Sequence, residues 1–440
     1  MRPRAFAPWL AATAGSLLAC ARELPPVGQI VLHVETDARV LPADGDTITP
    51  GSPAPLFDRL RIELLPDGAD EPCAECVRDF AATTDLFARG RASIGFVPRA
   101  GSVGARARVT LHRAGGAAGP RAASSLVRVV SLPAVAADGI VDVWVGLRTA
   151  DVGTPVGSLD APVASDAHST GLLPGSFDRD VAGRGCPEPG GTDEACVPGT
   201  SFWMGSPTHP LEGREHLVTS SPFYVDTREV TVGDLRAARL ATATDPIRDA
   251  RCHYADAPDG REDLPANCVS HGLAERYCAL RGKTLLTEAA FERLATGAFD
   301  ADYPWGRTPP SCTDAVYARD PKGSAAPYKA CVSIGSGASR AGSGALDRVS
   351  FGDREVLDLA GNVAEWMRDV FQDDGESCWG AGVLRDPDCQ TSSATQKGHS
   401  VRGGSFASSV LSLRASTRIV GSVDDSGAPY VGFRCMRRAD

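Results

Sequence analysis

The sequence predicts two folded units of different class: an all-β sandwich over residues 28–150 and, across a linker at 151–185, an α+β domain over 186–440. Three observations carry this reading. Short runs of alternating, β-branched residues broken by Gly and Pro fill the first unit, the pattern of half-buried strands joined by turns. From 151 to 185 apolar periodicity gives way to Gly, Ser, Pro and Asp, a linker composition. Helical apolar spacing occurs only beyond it, at 273–280 and 287–294, among long stretches rich in Gly, Pro and Asn. At 440 residues and 42% hydrophobic, the chain is long enough for two cores.

Residues 1–19 read as a targeting segment. Arg2 and Arg4 supply a basic start, an apolar stretch from Phe6 to Leu18 follows, and the small Ala19 stands at the cleavage point. The stretch is shorter than the roughly 20 residues of a membrane-spanning helix. Its end, Leu17-Leu18-Ala19-Cys20, resembles the bacterial lipobox, which implies cleavage before Cys20 and acylation of that cysteine. Each buried methylene contributes about 0.8 kcal/mol, so several acyl chains hold where one would be marginal. Residues 20–27 are then a tether to the membrane, and the expected address is the bacterial cell envelope. Ala21 is not the aspartate that retains some lipoproteins at the inner membrane, which slightly favours the outer one. A net charge of −10 argues against nucleic acid or anionic lipid as a partner.

The sandwich strands are expected at 30–34, 60–64, 107–112, 126–130 and 140–145. No catalytic constellation lies among them, so a spacer or docking role is expected. Cys73 and Cys76 form a C-x-x-C, but their acidic flanks, Asp70-Glu71-Pro72 and Glu75, disfavour a reactive thiolate. No second C-x-x-C or histidine pair completes a zinc site. A structural disulfide in a hairpin turn fits better.

Thirteen cysteines less Cys20 leave twelve, an even number in a chain bound for an oxidising compartment. The spacings suggest five local pairs: Cys73/Cys76, Cys186/Cys196, Cys252/Cys268, Cys312/Cys331 and Cys378/Cys389. Cys278/Cys435 then remains to close a long loop, although spacing alone does not fix connectivity. In the second unit the local pairs are expected to act as staples for its many loops, and Thr287 is placed to cap the helix that follows it.

That unit also carries an ordered series of motifs: Gly199-Thr200-Ser201-Phe202-Trp203-Met204-Gly205-Ser206, Phe223-Tyr224-Val225-Asp226-Thr227-Arg228-Glu229-Val230-Thr231, and Tyr303-Pro304-Trp305-Gly306. Asp358-Leu359-Ala360-Gly361-Asn362-Val363-Ala364-Glu365-Trp366, Arg402-Gly403-Gly404-Ser405-Phe406 and Gly432-Phe433-Arg434-Cys435 follow. Over roughly 190–437 the chain resembles the formylglycine-generating enzyme, or sulfatase-modifying factor, family. The resemblance implies an α+β fold related to C-type lectins.

It also implies a structural calcium ion, held by side chains at Asp358 and Glu365 and carbonyls at Gly361 and Val363. Hard oxygen donors in a turn suit that ion on chemical grounds as well. The family's copper-binding cysteines follow the Arg-Gly-Gly-Ser motif, and the matching positions here are Ser408 and, without a gap, Leu413. Neither supplies the soft thiolate that Cu(I) requires. Ser405 matches an active-site serine, but the site around it is degenerate and copper is not expected. His209 and His216 sit in a polar stretch and are expected to be solvated.

The expected function is therefore a membrane-anchored pseudoenzyme that binds a peptide, glycan or protein ligand, with the loops at 419–431 as one surface for it. The alternative is an oxidoreductase of the same superfamily with a cysteine-independent mechanism.

Overall fold

The computed structural model describes residues 27–439 except 44–45, 47–52, 89–91, 99–103, 115–119, 137, 207–212, 241–248, 256, 298–300, 392–397 and 423–425. The targeting segment, Cys20 and His209 lie outside the described residues. Among the described residues, no helix is long and apolar enough to cross a membrane.

The first unit is built from β1 (Gln29–Thr36), β2 (Arg59–Leu65), β3 (Val77–Ala81), a short α1 (Thr84–Ala88), β4 (Ser93–Phe96), β5 (Arg106–His112), β6 (Ser125–Ser131) and β7 (Ile140–Leu147). They form two sheets, ordered β4-β1-β7 and β3-β2-β5-β6. Alternation sets the inward faces: Ile30, Leu32 and Val34 of β1 meet Leu60 and Ile62 of β2 and Val109 and Leu111 of β5 in one core. All five expected strands are present. Of the two not foreseen, β3 exposes three of its five residues and lacks alternation, and β4 is only four residues long, with Ile94 and Phe96 turned to the core. Cys73–Cys76 lies between antiparallel β2 and β3, as the hairpin reading required.

Residues 151–185 contain no strand or α-helix, in keeping with their lost periodicity, yet they are not a loose tether. Val156 and Val163 bridge to Arg128 and Val130 along β6. Asp166 takes the guanidinium of Arg128 at 2.8 and 3.0 Å and the Gly146 N–H at 2.9 Å. Glu35 accepts from the hydroxyl and backbone N–H of Thr170. Single bridges of this kind leave no periodic trace, so the composition of the linker does not reveal that it is docked.

The second unit comprises β8 (Glu194–Val197), β9 (Thr200–Met204), β10 (His216–Ser220), β11 (Phe223–Asp226), α2 (Val232–Ala237), α3 (His271–Leu280), β12 (Thr284–Leu285) and α4 (Glu288–Thr296). Beyond these come β13 (Arg348–Phe351), β14 (Arg354–Leu357), β15 (Ala364–Val370), β16 (Val383–Arg385), β17 (His399–Arg402), β18 (Ile419–Val420), β19 (Val431–Gly432) and β20 (Cys435–Arg438). The result is an α+β fold of small mixed sheets, chiefly β12-β20-β11-β8 and β18-β17-β15-β19, with few helices. The helix starts follow from capping. Thr287 accepts the Ala290 N–H at 3.1 Å, as expected, and Ser270 caps α3. Thr231 and Asp234 form a reciprocal capping box on α2, which is too short to show apolar periodicity.

Six disulfides join the twelve described cysteines in the pairs the spacing suggested: Cys73–Cys76, Cys186–Cys196, Cys252–Cys268, Cys312–Cys331, Cys378–Cys389 and, spanning 157 residues, Cys278–Cys435. Two of the local bonds also reach the interior, because each sends one cysteine into a core. Cys331 is fully buried with Tyr303, Tyr317 and Ala360, while its partner Cys312 is only partly covered at the edge of that cluster. Cys389 is buried with Met204, Val218 and Trp379, and its partner Cys378 is again only partly covered. In these irregular segments a half-cystine supplies apolar bulk that no regular element provides, so the bond anchors the loop to the interior as well as closing it.

The two units share packing. Trp203 of β9 enters the sandwich core, edge-on to Phe57 at 5.7 Å, and its indole N–H donates to the Leu56 carbonyl at 2.8 Å. Arg113 pairs with Glu215 across the same boundary. The sandwich is thus fastened to the second unit rather than held off it by a flexible spacer.

Candidate functional site

The turn between β14 and β15 carries Asp358, Gly361 and Val363 of the residues expected to hold calcium, and Glu365 follows in β15. Asp358 and Asn362 adopt left-handed φ of 56° and 57°, which Asp and Asn tolerate better than most residues. Gly361 has φ 138°, and a Cβ there would stand 2.6 Å from the Val316 carbonyl oxygen, so only glycine fits. Asn362 locks the turn: its amide donates to Glu229 at 2.6 Å, and its side-chain oxygen accepts the Ser339 N–H at 2.8 Å. Glu229 also accepts the Val363 N–H at 3.0 Å.

Around this turn four carboxylates, Glu229, Asp347, Asp358 and Glu365, are buried beside one guanidinium, Arg434. Arg434 gives its Nε to both oxygens of Glu365, at 2.8 and 2.9 Å, and its Nη2 to the carbonyls of Leu357 and Asp358. Burial pushes Asp347 up to about 7, with Asp358 adding to it, and Asp358 up to about 6. Burial also drives Glu229 well above the usual carboxylate range, with Asp358 and Glu365 contributing.

The donors fit a cation in part. Asp358 accepts the Gly342 N–H through Oδ2 at 2.7 Å and leaves Oδ1 buried without a partner. The excess of negative charge also favours a divalent ion. Glu365, in contrast, is committed to Arg434. Among the described residues no group of three or more His, Cys, Asp or Glu could hold a metal ion, so such a site rests on Asp358 and backbone carbonyls.

The Arg-Gly-Gly-Ser motif lies at the end of β17. Gly404, at φ 70°, leaves no space for a side chain, because a Cβ would stand 2.7 Å from the Ser412 carbonyl oxygen. Ser405 is 1% exposed and its hydroxyl accepts the Ala407 N–H at 3.2 Å. The Ser408 hydroxyl accepts the Ser405 N–H at 3.0 Å and lies 3.2 Å from the Ser405 hydroxyl. These two serines close a turn on each other. Leu413 is fully buried with Tyr303, Tyr317 and Ala360, a packing position with no polar function. The same cluster holds Cys331, but that sulfur is bonded to Cys312 and offers no thiolate. The cysteines that flank the motif in sequence, Cys389 and Cys435, are bonded to Cys378 and Cys278.

His216 is not in a solvated loop. It starts β10, packs at 5.7 Å on Trp379 and lies 3.9 Å from Asp374, and burial lowers its pKa despite that carboxylate. Of the 419–431 surface, the first residues form β18, and Ala428 accepts the Cys268 N–H, which ties the segment to the α3 entry. Sequence reasoning missed Glu229 and Asp347 as members of the carboxylate cluster. Glu229 stood inside a quoted motif, but its convergence on residue 362 is a product of the fold.

Residues 185–439 match the Sulfatase-modifying factor enzyme 1-like domain. Inactive C-alpha-formylglycine-generating enzyme 2 of Mus musculus is 31% identical over 183 residues, 40% of this chain and 50% of the relative. The Bos taurus counterpart is 29% identical over 188 residues, so the chain spans about half the length of these relatives. The formylglycine-generating enzyme of Thermomonospora curvata is 26% identical over 321 residues, 59% of this chain and 98% of the relative. Among solved structures, PvdO from Pseudomonas aeruginosa aligns with a TM-score of 0.41 at 25% identity, covering 56% of this chain and 94% of that one. With its second unit matched from end to end, the chain belongs to the sulfatase-modifying factor family.

Proposed function

We propose that the chain is a lipid-anchored protein of the bacterial cell envelope whose sulfatase-modifying-factor domain binds a peptide, glycan or protein ligand and does not generate formylglycine. One observation carries the reading. All twelve described cysteines are in disulfides, so none offers a thiolate, and the positions that the resemblance matches to the copper pair are Ser408 and, without a gap, Leu413. The inactive relatives of similar sequence support it.

Titration with Cu(I) is expected to give no stoichiometric binding and no thiolate charge-transfer absorption. One tightly held copper per chain with that absorption would overturn the proposal, and stoichiometric iron in the purified protein would favour the oxidoreductase. The anchor has its own test: Cys20→Ser is expected to move the protein from the membrane to the soluble fraction.

Calcium, in this reading, is a structural ion at Asp358 and the Gly361 and Val363 carbonyls, with Glu365 shared with Arg434. It would neutralise the buried carboxylate excess. Calcium at a hundred times its Kd is expected to add about 2.7 kcal/mol of stability. No rise in the melting temperature on replacing chelator with calcium would remove the ion from the proposal.

A further inference from the structure

Helix α4 buries Arg293 to 6% exposure, and among the described residues it has no acidic partner. Its Nη1 donates to the Gly297 carbonyl at the end of its own helix, Nη2 reaches the Pro198 carbonyl at 3.4 Å, and Nε has no hydrogen-bond partner. Burial, with the nearby charge of Arg39, lowers its pKa to about 10. A guanidinium kept out of water with no counter-ion costs several kcal/mol, a cost that an anion arriving from outside would offset.

Arg293 lines a cleft of about 480 Å³ between the sandwich and the second unit, a volume within the range of small-molecule sites. Pro55 comes from the sandwich side, and Phe202, Trp305 and Phe351 from the other. Arg348 is the second charged residue of the described lining, which contains no carboxylate, in a chain of net charge −10. Arg348 is more exposed and already engages Glu355 at 3.3 Å. The one unpaired charge of the described lining is therefore that of Arg293, set 6.0 Å over the Phe351 ring. A single buried guanidinium beside aromatic walls balances one negative charge on a flat or apolar body. A phosphate dianion would call for two such groups.

We propose that this interdomain cleft binds a small organic carboxylate with an aromatic or apolar body, its carboxylate on Arg293 and its body against Trp305 and Phe351. The site deepens the binding reading above and rests on it only in supposing a ligand.

The test is calorimetric titration of the full chain with N-acetyl-L-phenylalanine and with its uncharged carboxamide. The acid is expected to bind about tenfold or more tighter than the amide, the strength of a charge-assisted hydrogen bond. Arg293→Gln should bring acid binding down to the amide level, while Arg348→Ala should change it about threefold or less. Equal binding of acid and amide, binding of neither, or full acid binding by a folded Arg293→Gln protein would overturn the proposal. If Arg293→Gln does not fold, the acid-to-amide comparison on the unaltered chain decides. Copper titration remains a separate readout, so a thiolate-copper centre would defeat the proposed function without touching this site.

Discussion

Replacing Cys278 and Cys435 together by alanine is expected to lower the unfolding free energy by about 5 kcal/mol, the largest effect of any single disulfide in this chain. The bond closes a loop of 157 residues, and chain entropy gives about 5 kcal/mol for that length. Cys278 lies on α3 and Cys435 on β20, both fully buried, so the bond fastens the last strand to a helix set early in the domain. Strand β20 in turn pairs with β11 and β12, and its release would open that sheet as well. Cys186–Cys196, with a separation of 10, is the internal comparison, at about 3 kcal/mol by the same relation. Urea denaturation of the two double variants measures both. A larger loss at Cys186–Cys196 than at Cys278–Cys435 would show that local packing, not loop closure, governs what these bonds contribute.

Regular elements were legible in the sequence where β-branched and aliphatic runs of five residues or more stood between turns. Burial alternates cleanly in β1, while β2, β5, β6 and β7 are marked by their runs of Val, Leu and Ile between turns, although β5 is buried on both faces. In the second unit several strands are short and buried on both sides, as in β11, where all four residues are inside, and alternation disappears. Those strands were reached only through motif resemblance. Spacing paired the cysteines, but the depth of Cys331 and Cys389 was not legible, since both stand in segments without periodicity. Trp203 shows a different limit: its place in a motif was evident, but nothing local reveals that it plugs the core of the other unit. Ser408 and Leu413 were singled out by the resemblance alone, and the structure shows a turn hydrogen bond at the first and a packing contact at the second. Arg293 left no sequence signal, because an arginine in a helix ordinarily reaches water, and only the fold shows that this one does not.

Replacing Arg402 by methionine is expected to cost about 3–5 kcal/mol, the penalty for stripping one partner from a buried ion pair. Arg402 is fully buried and donates to Glu288 at 3.3 Å, to Glu292, and to the Ala415 carbonyl at 2.9 Å. Glu288 would survive the change. Burial alone would raise its pKa, but Arg418 and Arg402 bring it below its ordinary value, and Arg418 would remain at 2.7 and 2.9 Å. Glu292 would keep only the Gly205 N–H at 2.6 Å. Burial already raises Glu292 above its ordinary value, with Arg402 pulling it back, so loss of Arg402 raises it further. A carboxyl whose folded pKa lies above its unfolded one contributes stability that is full below about pH 4.3 and falls as pH rises through the folded value. The deficit of Arg402→Met should therefore be smaller near pH 4 than near pH 8. Adding Glu292→Leu should recover most of the loss and flatten that slope, because an apolar pair can replace a buried ionic one at little cost. A pH-independent deficit, or no recovery in the double variant, would refute this account. Arg402 opens the Arg-Gly-Gly-Ser motif, and here its hydrogen bonds tie β17 to α4 and to the Ala415 carbonyl. Retention of the motif is then accounted for by folding alone.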